Sequence, residues 1–527
     1  MTGAADSGDA VAVARPQRLR ERLRSTTARL GRAGWAVVTP WRALFAAMVL
    51  IWTWYFTWLT LRIHHGLGTS SYDLGLYDQG VWLLSRLKAP FVTLMGRNLM
   101  GDHTSFILVF LAPLYRIWPS VGVLLGAQSL LVALGSLPVF LLARERFKRE
   151  SVALALAAVY LLHPAVGWTN REGFHPDSFL GFFVGMAIYG ALQRKWRVYA
   201  VFVVLALLVK EDVSLVLVPL GLWVTLKRDR RIGLATVVGS VGYMFVAMFV
   251  VMRGLIGVPT RNGWRIPFGG PTGLVKESIS RPGNVFEYLR GERRPFYLWQ
   301  MAFPVAWVFA RAPSVALISG AVLLSNMVST FWYQYHIEYH YSMVAVPALV
   351  LGSVYALTRV TRRVRHWCVV AMFLASFWGS LMWGAVPLGE ALCAPVRAVG
   401  AECAPLGRRQ SGYWAPSYGP AVAARQIISQ IPGDAIVSAF HALDPHLSHR
   451  VHIYQFPNPF RVVLYGVDTT LEEARARLPI ADQVDYVVLP TKKDAGVVAD
   501  WDREKSRFTL AAANEYWELY RRIGLSP

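Results

Sequence analysis

Carboxylates, imidazoles and single cations stand at five places in the sequence, close to the ends of long apolar runs. The candidates are Asp73, Asp78 and Gln79; Asp102 and His103; Arg171, Glu172, His175 and Asp177; Lys210, Glu211 and Asp212; and His336, Glu338 and His340. A carboxylate can take a proton from an attacking hydroxyl, and a fixed cation can stabilise a departing phosphate. Because ionisable groups at membrane depth are costly, they usually mark a functional site or pathway. The residue types therefore indicate acid–base and phosphate-binding chemistry.

Each group also has a purely structural interpretation. Asp73 could cap an amphipathic helix that the pattern predicts over residues 74–87, and Asp78 could be an exposed interfacial carboxylate. The run 210–212 could be an ion-pair cluster at a turn between two spans. The loop 171–177 could simply hold satisfied polar side chains. Capping and catalysis are compatible, so a chemical role is kept for at least one of the two aspartates.

The late imidazoles raise the question of a metal site. His336 and His340 are spaced i, i+4, so on a helix they would share one face and could bind a metal. Glu338 does not stand where the H-E-x-x-H zinc motif needs its base, and the surrounding aromatic residues also suit an interfacial belt. We therefore predict polar contacts to a phosphate or a sugar and no metal ligand, and a divalent cation as cofactor is left open.

The composition is that of a membrane protein. Of 527 residues, 54% are hydrophobic and 16% are charged, whereas an average soluble domain carries about 25% charged residues. Much of the formal net charge of +22 lies in short basic clusters between apolar runs. That pattern is typical of Arg and Lys that set membrane topology rather than of a nucleic-acid binder. We expect the lipid bilayer, and no nucleic acid, as a partner.

Apolar runs and charges together predict about eleven membrane spans. The spans are 43–63, 120–143, 151–168, 178–192, 199–211, 213–226, 232–253, 296–310, 313–331, 342–358 and 367–388. Basic clusters separate them at residues 144–149, 194–197, 227–231 and 359–365. With the N-terminus in the cytoplasm, every cluster falls inside, as the positive-inside rule requires. The C-terminus and all five polar groups are then predicted outside, and the apolar segment 105–118 is interpreted as a re-entrant or surface helix.

The chain divides into three predicted parts. Residues 1–42 are a basic, disordered cytoplasmic tail, residues 43–388 form the membrane domain with a large first external loop at 64–119, and residues 389–527 form a small extracytoplasmic α/β domain. In that domain the patterns predict structure at five places: a helix over 421–431, strands over 435–440, 451–456 and 484–489, and a last helix near 514–522. Cys393 and Cys403 lie in an external segment where a disulfide is chemically permitted. The predicted fold class is an α-helical polytopic membrane protein with a C-terminal α/β domain.

The order of the polar motifs resembles a known family. The motifs are Tyr72-Asp-Leu-Gly-Leu-Tyr-Asp-Gln79, Asp102-His103, Gln128, Phe174-His-Pro176, Lys210-Glu-Asp212 and the late His-rich loop. They occur in this order in predicted bacterial membrane proteins of the domain-of-unknown-function family 2079, and the resemblance runs from about residue 43 to residue 489. That family in turn resembles the C-type glycosyltransferase superfamily (GT-C), which has a similar number of spans and an acidic first external loop. The resemblance implies a GT-C-like fold in the bacterial plasma membrane.

GT-C enzymes take sugar from a polyprenyl-phosphate carrier, so the resemblance implies a polyprenyl-phosphate sugar as donor and a cell-envelope glycan as acceptor. By its match to the acidic loop position, Asp73 is the first candidate for the base, and Asp78 is the second. Lys210 is the candidate partner of the departing phosphate. The residues that would assist it are Arg171, His175, His336 and His340, with Glu211 and Asp212 orienting the lysine or binding acceptor hydroxyls.

Two other functions stay open at this point. A transporter or flippase for a lipid-linked saccharide would carry ionisable residues along its path and an internal repeat, and the sequence shows no convincing repeat. A non-catalytic receptor or envelope scaffold would tolerate replacement of the external acids. The basic segment 258–295 is either a solvated connection or a lid over a substrate, and its charge suits an anionic lipid carrier.

Overall fold

The structure is a computed structural model, and it describes residues 39–260, 262–385, 416–463 and 476–524. Nearly all of the predicted cytoplasmic tail lies outside the described residues, and so do Cys393 and Cys403. The described chain is mostly helical up to residue 385, and its later part contains a small sheet.

The apolar runs form the helices of the membrane domain. Five helices of the described residues are long and apolar enough to cross a membrane: Pro40–His65, Val121–Phe147, Arg230–Ile256, His340–Leu357 and Arg362–Trp383. A sixth candidate is the pair Glu150–Leu161 and Pro164–Arg171, which bends by 54° where a proline restricts the residue before it. Shorter apolar helical segments are Phe106–Ile117, Pro176–Leu192, Trp196–Leu207 and Ala316–Val328, together with Ser214–Lys227.

Two predicted spans are interrupted in the structure. The run at 296–310 is α-helical only in the helix Arg294–Ala302 and then continues as short 3₁₀ turns, with Ala306 and Trp307 at φ values of 47° and 50°. The run at 313–331 is α-helical only over Gly320–Val328. Apolar composition predicts burial but not an unbroken helix, so the number of eleven spans stays a prediction.

Side-chain caps begin two helices directly at basic clusters. Asp229 accepts hydrogen bonds from the backbone N–H groups of Arg231 and Ile232, each at 3.0 Å. Thr361 accepts a bond from Val364 at 3.5 Å at the start of the helix Arg362–Trp383. Such caps satisfy backbone donors that have no partner in the first helical turn. The chain therefore turns at these basic clusters and continues as a new helix.

Residues 64–119, the predicted first external loop, contain local structure that positions their acids. They contain the helix Leu76–Ser85, an antiparallel ribbon of β1 (Phe91–Val92) and β2 (Arg97–Asn98), and the short helix Leu99–Asp102. The prediction that Asp73 caps a helix is wrong: no side chain caps Leu76–Ser85, and Asp73 lies in a kinked turn before it with φ 67°.

The segment 105–118 folds as a 3₁₀ turn and one short helix, and the basic segment 258–295 also contains helices. The former comprises Phe106–Leu111 and Ala112–Ile117, and at ~1.5 Å per helical residue it is too short to cross a bilayer. The latter holds Pro271–Ser280 and Pro282–Arg290, each beginning with the proline that a first helical turn tolerates. Segment 258–295 is therefore more ordered than a flexible connection.

The C-terminal domain is built on a five-stranded mixed sheet with the order β4-β3-β5-β7-β6. Its strands are β3 (Val437–Ala439), β4 (Ile453–Gln455), β5 (Tyr486–Pro490), β6 (Phe508–Ala513) and β7 (Trp517–Arg522). Strand β3 pairs in parallel with β4 and β5, whereas β7 is antiparallel to β5 and β6. The three strands predicted from the sequence are present, and the described residues of the domain also form the helices Gly419–Ile428, Asp444–Leu447 and Ala495–Glu504.

The predicted last helix near 514–522 is wrong, because this segment is strand β7. Trp517 and Leu519 are buried while Glu518 and Tyr520 between and after them are only half-buried. That alternation has the period of two expected for a strand. Pairing with β5 and β6 on both edges satisfies its backbone and decides its conformation.

Cysteine labelling tests the predicted orientation. In a variant whose native cysteines are replaced by serine, we expect Lys276→Cys to react with a membrane-impermeant maleimide on intact spheroplasts, and Arg363→Cys to react only after permeabilisation. Both side chains are exposed, and the positive-inside rule places the cluster around Arg363 in the cytoplasm. The reverse labelling pattern would contradict the topology.

Candidate functional site

A cavity of 370 Å³ gathers residues from distant parts of the chain. Eight of the fifteen predicted site residues line it: Asp73, Asp102, His103, Glu172, His175, Asp177, Lys210 and His340. The other lining residues are Tyr72, Leu76, Tyr77, Met95, Arg97, Arg265, Phe331, Tyr333, Tyr339 and Tyr341. All five sequence groups are therefore represented by charged or imidazole side chains in the wall of one cavity, where they meet although they are far apart in sequence.

Asp73 is the most exposed acid of the predicted base pair. Its side chain is 51% exposed, and its Oδ1 accepts a hydrogen bond from His175 Nε2 at 3.1 Å. The backbone has φ 67° and ψ −101°, a conformation that non-glycine residues rarely adopt. Such strain persists where the surroundings over-determine it and is typical of functional sites.

His175 joins Asp73 to a second carboxylate–imidazole pair. The His175 ring stacks on the His340 ring at a centroid distance of 3.8 Å. Glu172 accepts bonds from the backbone N–H of His340 at 2.6 Å and from its Nδ1 at 3.2 Å. Burial opposes the charged form of His175, but the negative charges of Asp73 and Glu172 outweigh it and raise the pKa of His175 to about 9. The ring therefore carries a positive charge next to Asp73 at neutral pH.

Lys210 is a buried ammonium with carboxylates on two sides. Its side chain is 5% exposed, and its Nζ lies 3.3 Å from Asp177 Oδ1 and 3.6 Å from Asp212 Oδ2. It also lies 5.8 Å from the ring centroid of Tyr341. Because an unpaired buried cation is strongly disfavoured, these partners hold the ammonium in the cavity wall.

A third ion-paired group continues the wall. His103 Nδ1 lies 2.7 Å from Glu211 Oε1, and the backbone N–H of Thr104 donates to Glu211 Oε2 at 3.1 Å. Burial and the charge of Lys210 lower the pKa of His103, but Glu211 outweighs them and the pKa is raised. Beside it, Arg97 pairs with Asp102 at 3.2 Å. Glu211 and Asp212 thus support the lining residues without belonging to the lining.

Arg265 was not among the predicted site residues, although the sequence showed that segment 258–295 is basic. Its guanidinium carbon lies 4.2 Å from the ring centroid of Phe331 and 5.9 Å from that of Tyr341. Its Nε is buried without a hydrogen-bond partner among the described residues. The side chain thus adds a further cation to the cavity, stacked on aromatic rings as arginine favours.

Asp78 and Gln79 do not reach the cavity. Asp78 is fully buried and accepts hydrogen bonds from Tyr115 at 2.6 Å, from Ser448, and from His449 at 3.1 Å. Gln79 donates to Thr93 at 2.9 Å and to the backbone of the C-terminal domain. The expectation of an exposed interfacial carboxylate at Asp78 is wrong, and its partners leave it no contact with this cavity.

Three further predicted residues stand outside the lining. Arg171 ends the helix Pro164–Arg171 and lies 6.0 Å from the ring of Trp168. The ring of His336 bonds the carbonyl of Trp332 at 2.6 Å, and Glu338 is buried. The expected helix that would align His336 with His340 is absent, because His336 ends one 3₁₀ turn and His340 begins another.

A different trio could hold a divalent cation. Glu172, His175 and His340 each offer a ligand atom, and these atoms lie within 4.8 Å of one another. Nδ1 of His175 is buried without a hydrogen-bond partner among the described residues. Two imidazoles and a carboxylate are a donor set that suits Zn²⁺. A cation and a proton would compete for the same His175 ring.

The sequence and the fold both match known proteins. The model of the family described as "Predicted membrane protein (DUF2079)" matches residues 63–525. No curated protein matches the sequence. The fold is similar to the crystal structure of ArnT from Cupriavidus metallidurans bound to undecaprenyl phosphate, with a TM-score of 0.53 and 15% identity over 93% of this chain and 99% of that one.

The same neighbour without ligand gives a nearly identical result. The crystal structure of ArnT from Cupriavidus metallidurans in the apo state matches with a TM-score of 0.53 and 14% identity, over 92% of this chain and 98% of that one. At this level of identity the likeness concerns the fold. Together with the family match it confirms the resemblance indicated by the order of the polar motifs.

Replacing Lys210 tests how far the cavity depends on its buried ion pair. We expect Lys210→Met to lower the free energy of unfolding by about 3–5 kcal/mol, because the buried Asp177 loses its partner. Adding Asp177→Asn should restore much of that loss. The measurement is chemical unfolding of the purified protein in mixed micelles.

The matched control is Lys195→Met. Lys195 pairs with Glu145 at 2.7 Å, but the two side chains are 42% and 28% exposed, so the expected loss is about 0–1 kcal/mol. Equal losses in the two lysine variants would contradict a special role for the Lys210 pair.

Proposed function

The chain belongs to the DUF2079 family of predicted membrane proteins, and from this premise we propose that it is a membrane glycosyltransferase. It moves a sugar from a polyprenyl-phosphate donor to an acceptor in the cell envelope. The observation that carries the proposal is the cavity in which the exposed carboxylate of Asp73 and the buried ammonium of Lys210 are both part of the wall. A base and a phosphate partner are the two groups that this transfer requires.

The shared fold supports the choice of donor. ArnT, a GT-C polyprenyl-phosphate-sugar glycosyltransferase, was crystallised with undecaprenyl phosphate, and its fold extends over 93% of this chain. A shared fold alone does not establish chemistry. The residues in the cavity must therefore be able to perform each part of the reaction.

Asp73 is the proposed base. Its carboxylate is half-exposed and is oriented by the hydrogen bond from His175. In the reaction it takes the proton of an acceptor hydroxyl while that oxygen attacks the anomeric carbon. Asp78, the second candidate, has its carboxylate occupied by buried partners, so we assign it no part in proton transfer.

Lys210 and Arg265 are the proposed phosphate partners. As the bond between the anomeric carbon and the phosphate oxygen breaks, the oxygen keeps the electron pair and negative charge builds up on the phosphate. Fixed cations in the cavity wall stabilise that charge. The five tyrosines of the wall, Tyr72, Tyr77, Tyr333, Tyr339 and Tyr341, offer hydroxyls that can donate to or accept from a sugar. One inverting displacement then needs no covalent intermediate.

The orientation of the chain follows from the same proposal. With the N-terminus in the cytoplasm and the C-terminus outside the bacterial plasma membrane, the cavity opens where the acceptor resides. A transporter needs ionisable residues along a path through the bilayer, whereas eight of the fifteen candidate residues line one cavity. A non-catalytic scaffold gives no reason for the strained backbone at Asp73.

Replacing the proposed base gives the sharpest test of activity. We expect Asp73→Asn to lower kcat for sugar transfer by about 100-fold or more, because a general base contributes roughly 10²–10⁴, while the KM for the donor changes little. The measurement is transfer of radiolabelled sugar from polyprenyl phosphate by purified protein. Asp502→Asn, at an aspartate that is 52% exposed against 51% for Asp73, is the control. Full activity of Asp73→Asn would remove Asp73 from this role.

Arg265→Gln tests phosphate binding separately from proton transfer. A charge-assisted hydrogen bond contributes about 1.5–3 kcal/mol, so we expect polyprenyl phosphate to bind about 10-fold or more weakly in a calorimetric titration. Arg281→Gln, at an exposed arginine of the same basic segment, should bind normally. Equal affinity of the two variants would show that Arg265 does not contact the phosphate.

Deletion of the gene tests the function in the cell. We expect polyprenyl-phosphate sugar to accumulate and one envelope glycan to lose a substituent, because the donor is no longer consumed. The measurement is mass spectrometry of extracted lipids and envelope glycans, with restoration by the wild-type chain. An unchanged profile of both would refute the transferase.

A further inference from the structure

Both flanks of Asp73 are held by one segment of the C-terminal domain. This segment, residues 441–450, is called the clamp here; it contains the short helix Asp444–Leu447. We infer that the clamp positions Asp73 for proton transfer, so that the extracytoplasmic domain is part of the machinery of transfer rather than an appendage. The inference rests on the proposed function for its catalytic meaning.

The flank before Asp73 is fixed through Ser71. The backbone N–H of Ser71 donates to the carbonyl of His441 at 3.1 Å, and its hydroxyl donates to Asp444 Oδ2 at 2.6 Å. Ser71 and Asp444 are both fully buried. Water therefore cannot replace these two bonds, and Ser71 depends on the clamp for them.

The flank after Asp73 is fixed through Asp78 and Gln79. The Asp78 carboxylate accepts bonds from Ser448 and from His449 Nε2, and Gln79 donates to the carbonyl of Arg450 at 3.3 Å. The clamp thus contacts positions two residues before and five residues after Asp73. Residues that were predicted as catalytic or substrate-binding serve here to attach the helix Leu76–Ser85 to the C-terminal domain.

The backbone of Asp73 explains why two-sided attachment matters. Its φ of 67° lies in a region that non-glycine residues rarely adopt. A strained residue persists only when the structure around it over-determines its conformation. His175 holds the side chain of Asp73, and the N–H of Leu76 donates to the carbonyl of Asp73 within the turn. The clamp adds long-range contacts on either side of this turn. Loss of one flank would let the turn relax and move the carboxylate.

The chemistry of Asp444 gives a way to separate geometry from charge. Burial raises the pKa of Asp444 well above its usual value, although the hydrogen bond from Ser71 opposes this. An amide has the same shape as this carboxyl group, and its oxygen can accept the same hydrogen bond from Ser71. Asp444→Asn should therefore keep the contact with Ser71, whereas Asp444→Ala removes it.

Hydrogen exchange and kinetics on the full-length protein test the inference together. In Asp444→Ala we expect faster amide exchange confined to residues 70–79, and a kcat lower by about 10-fold or more with a nearly unchanged donor KM, since small displacements of a reacting group cost that much. Asp444→Asn should restore both. Asp502→Ala, at an exposed aspartate of the same domain, should resemble the wild type in both.

Each outcome decides one question. Unchanged amide exchange in residues 70–79 of Asp444→Ala overturns the inferred role of the clamp. A higher donor KM with an unchanged kcat overturns it too. If exchange rises throughout the protein because the variant unfolds, Ser71→Ala removes the same bond from the other side and takes its place. If the wild type transfers no sugar, the proposed function fails, while the exchange data still accept or reject the clamp.

Discussion

The need to neutralise buried charge organises this molecule more than any other constraint. Lys210 is almost fully buried, and its ammonium is tolerable there only because Asp177 and Asp212 lie within 4 Å. Asp177 begins the helical segment Pro176–Leu192, whereas Lys210 lies between the helices Trp196–Leu207 and Ser214–Lys227. The ion pair therefore joins the ends of separate helices. The pair His175–Asp73 joins residues 171–177 to the predicted first external loop, and the pair His340–Glu172 joins them to the late loop. The contacts that neutralise the buried charges therefore also assemble the site.

The same constraint explains how much of the site could be predicted from the sequence. Ionisable residues at the ends of apolar runs are expensive, so their types alone identified five groups whose members meet in the cavity wall. Asp78 was misjudged, because its partners Ser448 and His449 are about 370 residues away and no local pattern reveals them. Arg265 was overlooked for the opposite reason: one arginine in a basic segment has no distinguishing neighbour until Phe331 stacks against it.

The fold was predictable where periodicity and composition agree, and unpredictable where tertiary pairing decides. Long apolar runs became helices, and the buried runs at 437–439, 453–455 and 486–490 became strands. Residues 514–522 carry both a helical and an alternating pattern, and only the neighbouring strands β5 and β6 select the latter. The runs at 296–310 and 313–331 are apolar enough for spans, but prolines and turns interrupt them. Burial is encoded in composition, whereas helix continuity depends on packing.

His175 shows why the acidic and basic groups of the cavity have to be considered together. Its ring bonds Asp73 on one side and stacks on His340, the partner of Glu172, on the other. With a proton on the ring, or with a divalent cation held by Glu172, His175 and His340, a positive charge lies beside Asp73 in either case. A neighbouring positive charge favours the ionised form of a carboxylate, which a base needs, but it also makes the carboxylate a weaker base. The carboxylate gains strength as a base only when the charge is shared with another anion, and the phosphate of a bound donor is such an anion. On the proposed function, donor binding and activation of the base are therefore electrostatically coupled, so the acceptor is deprotonated only in the presence of the sugar that it attacks.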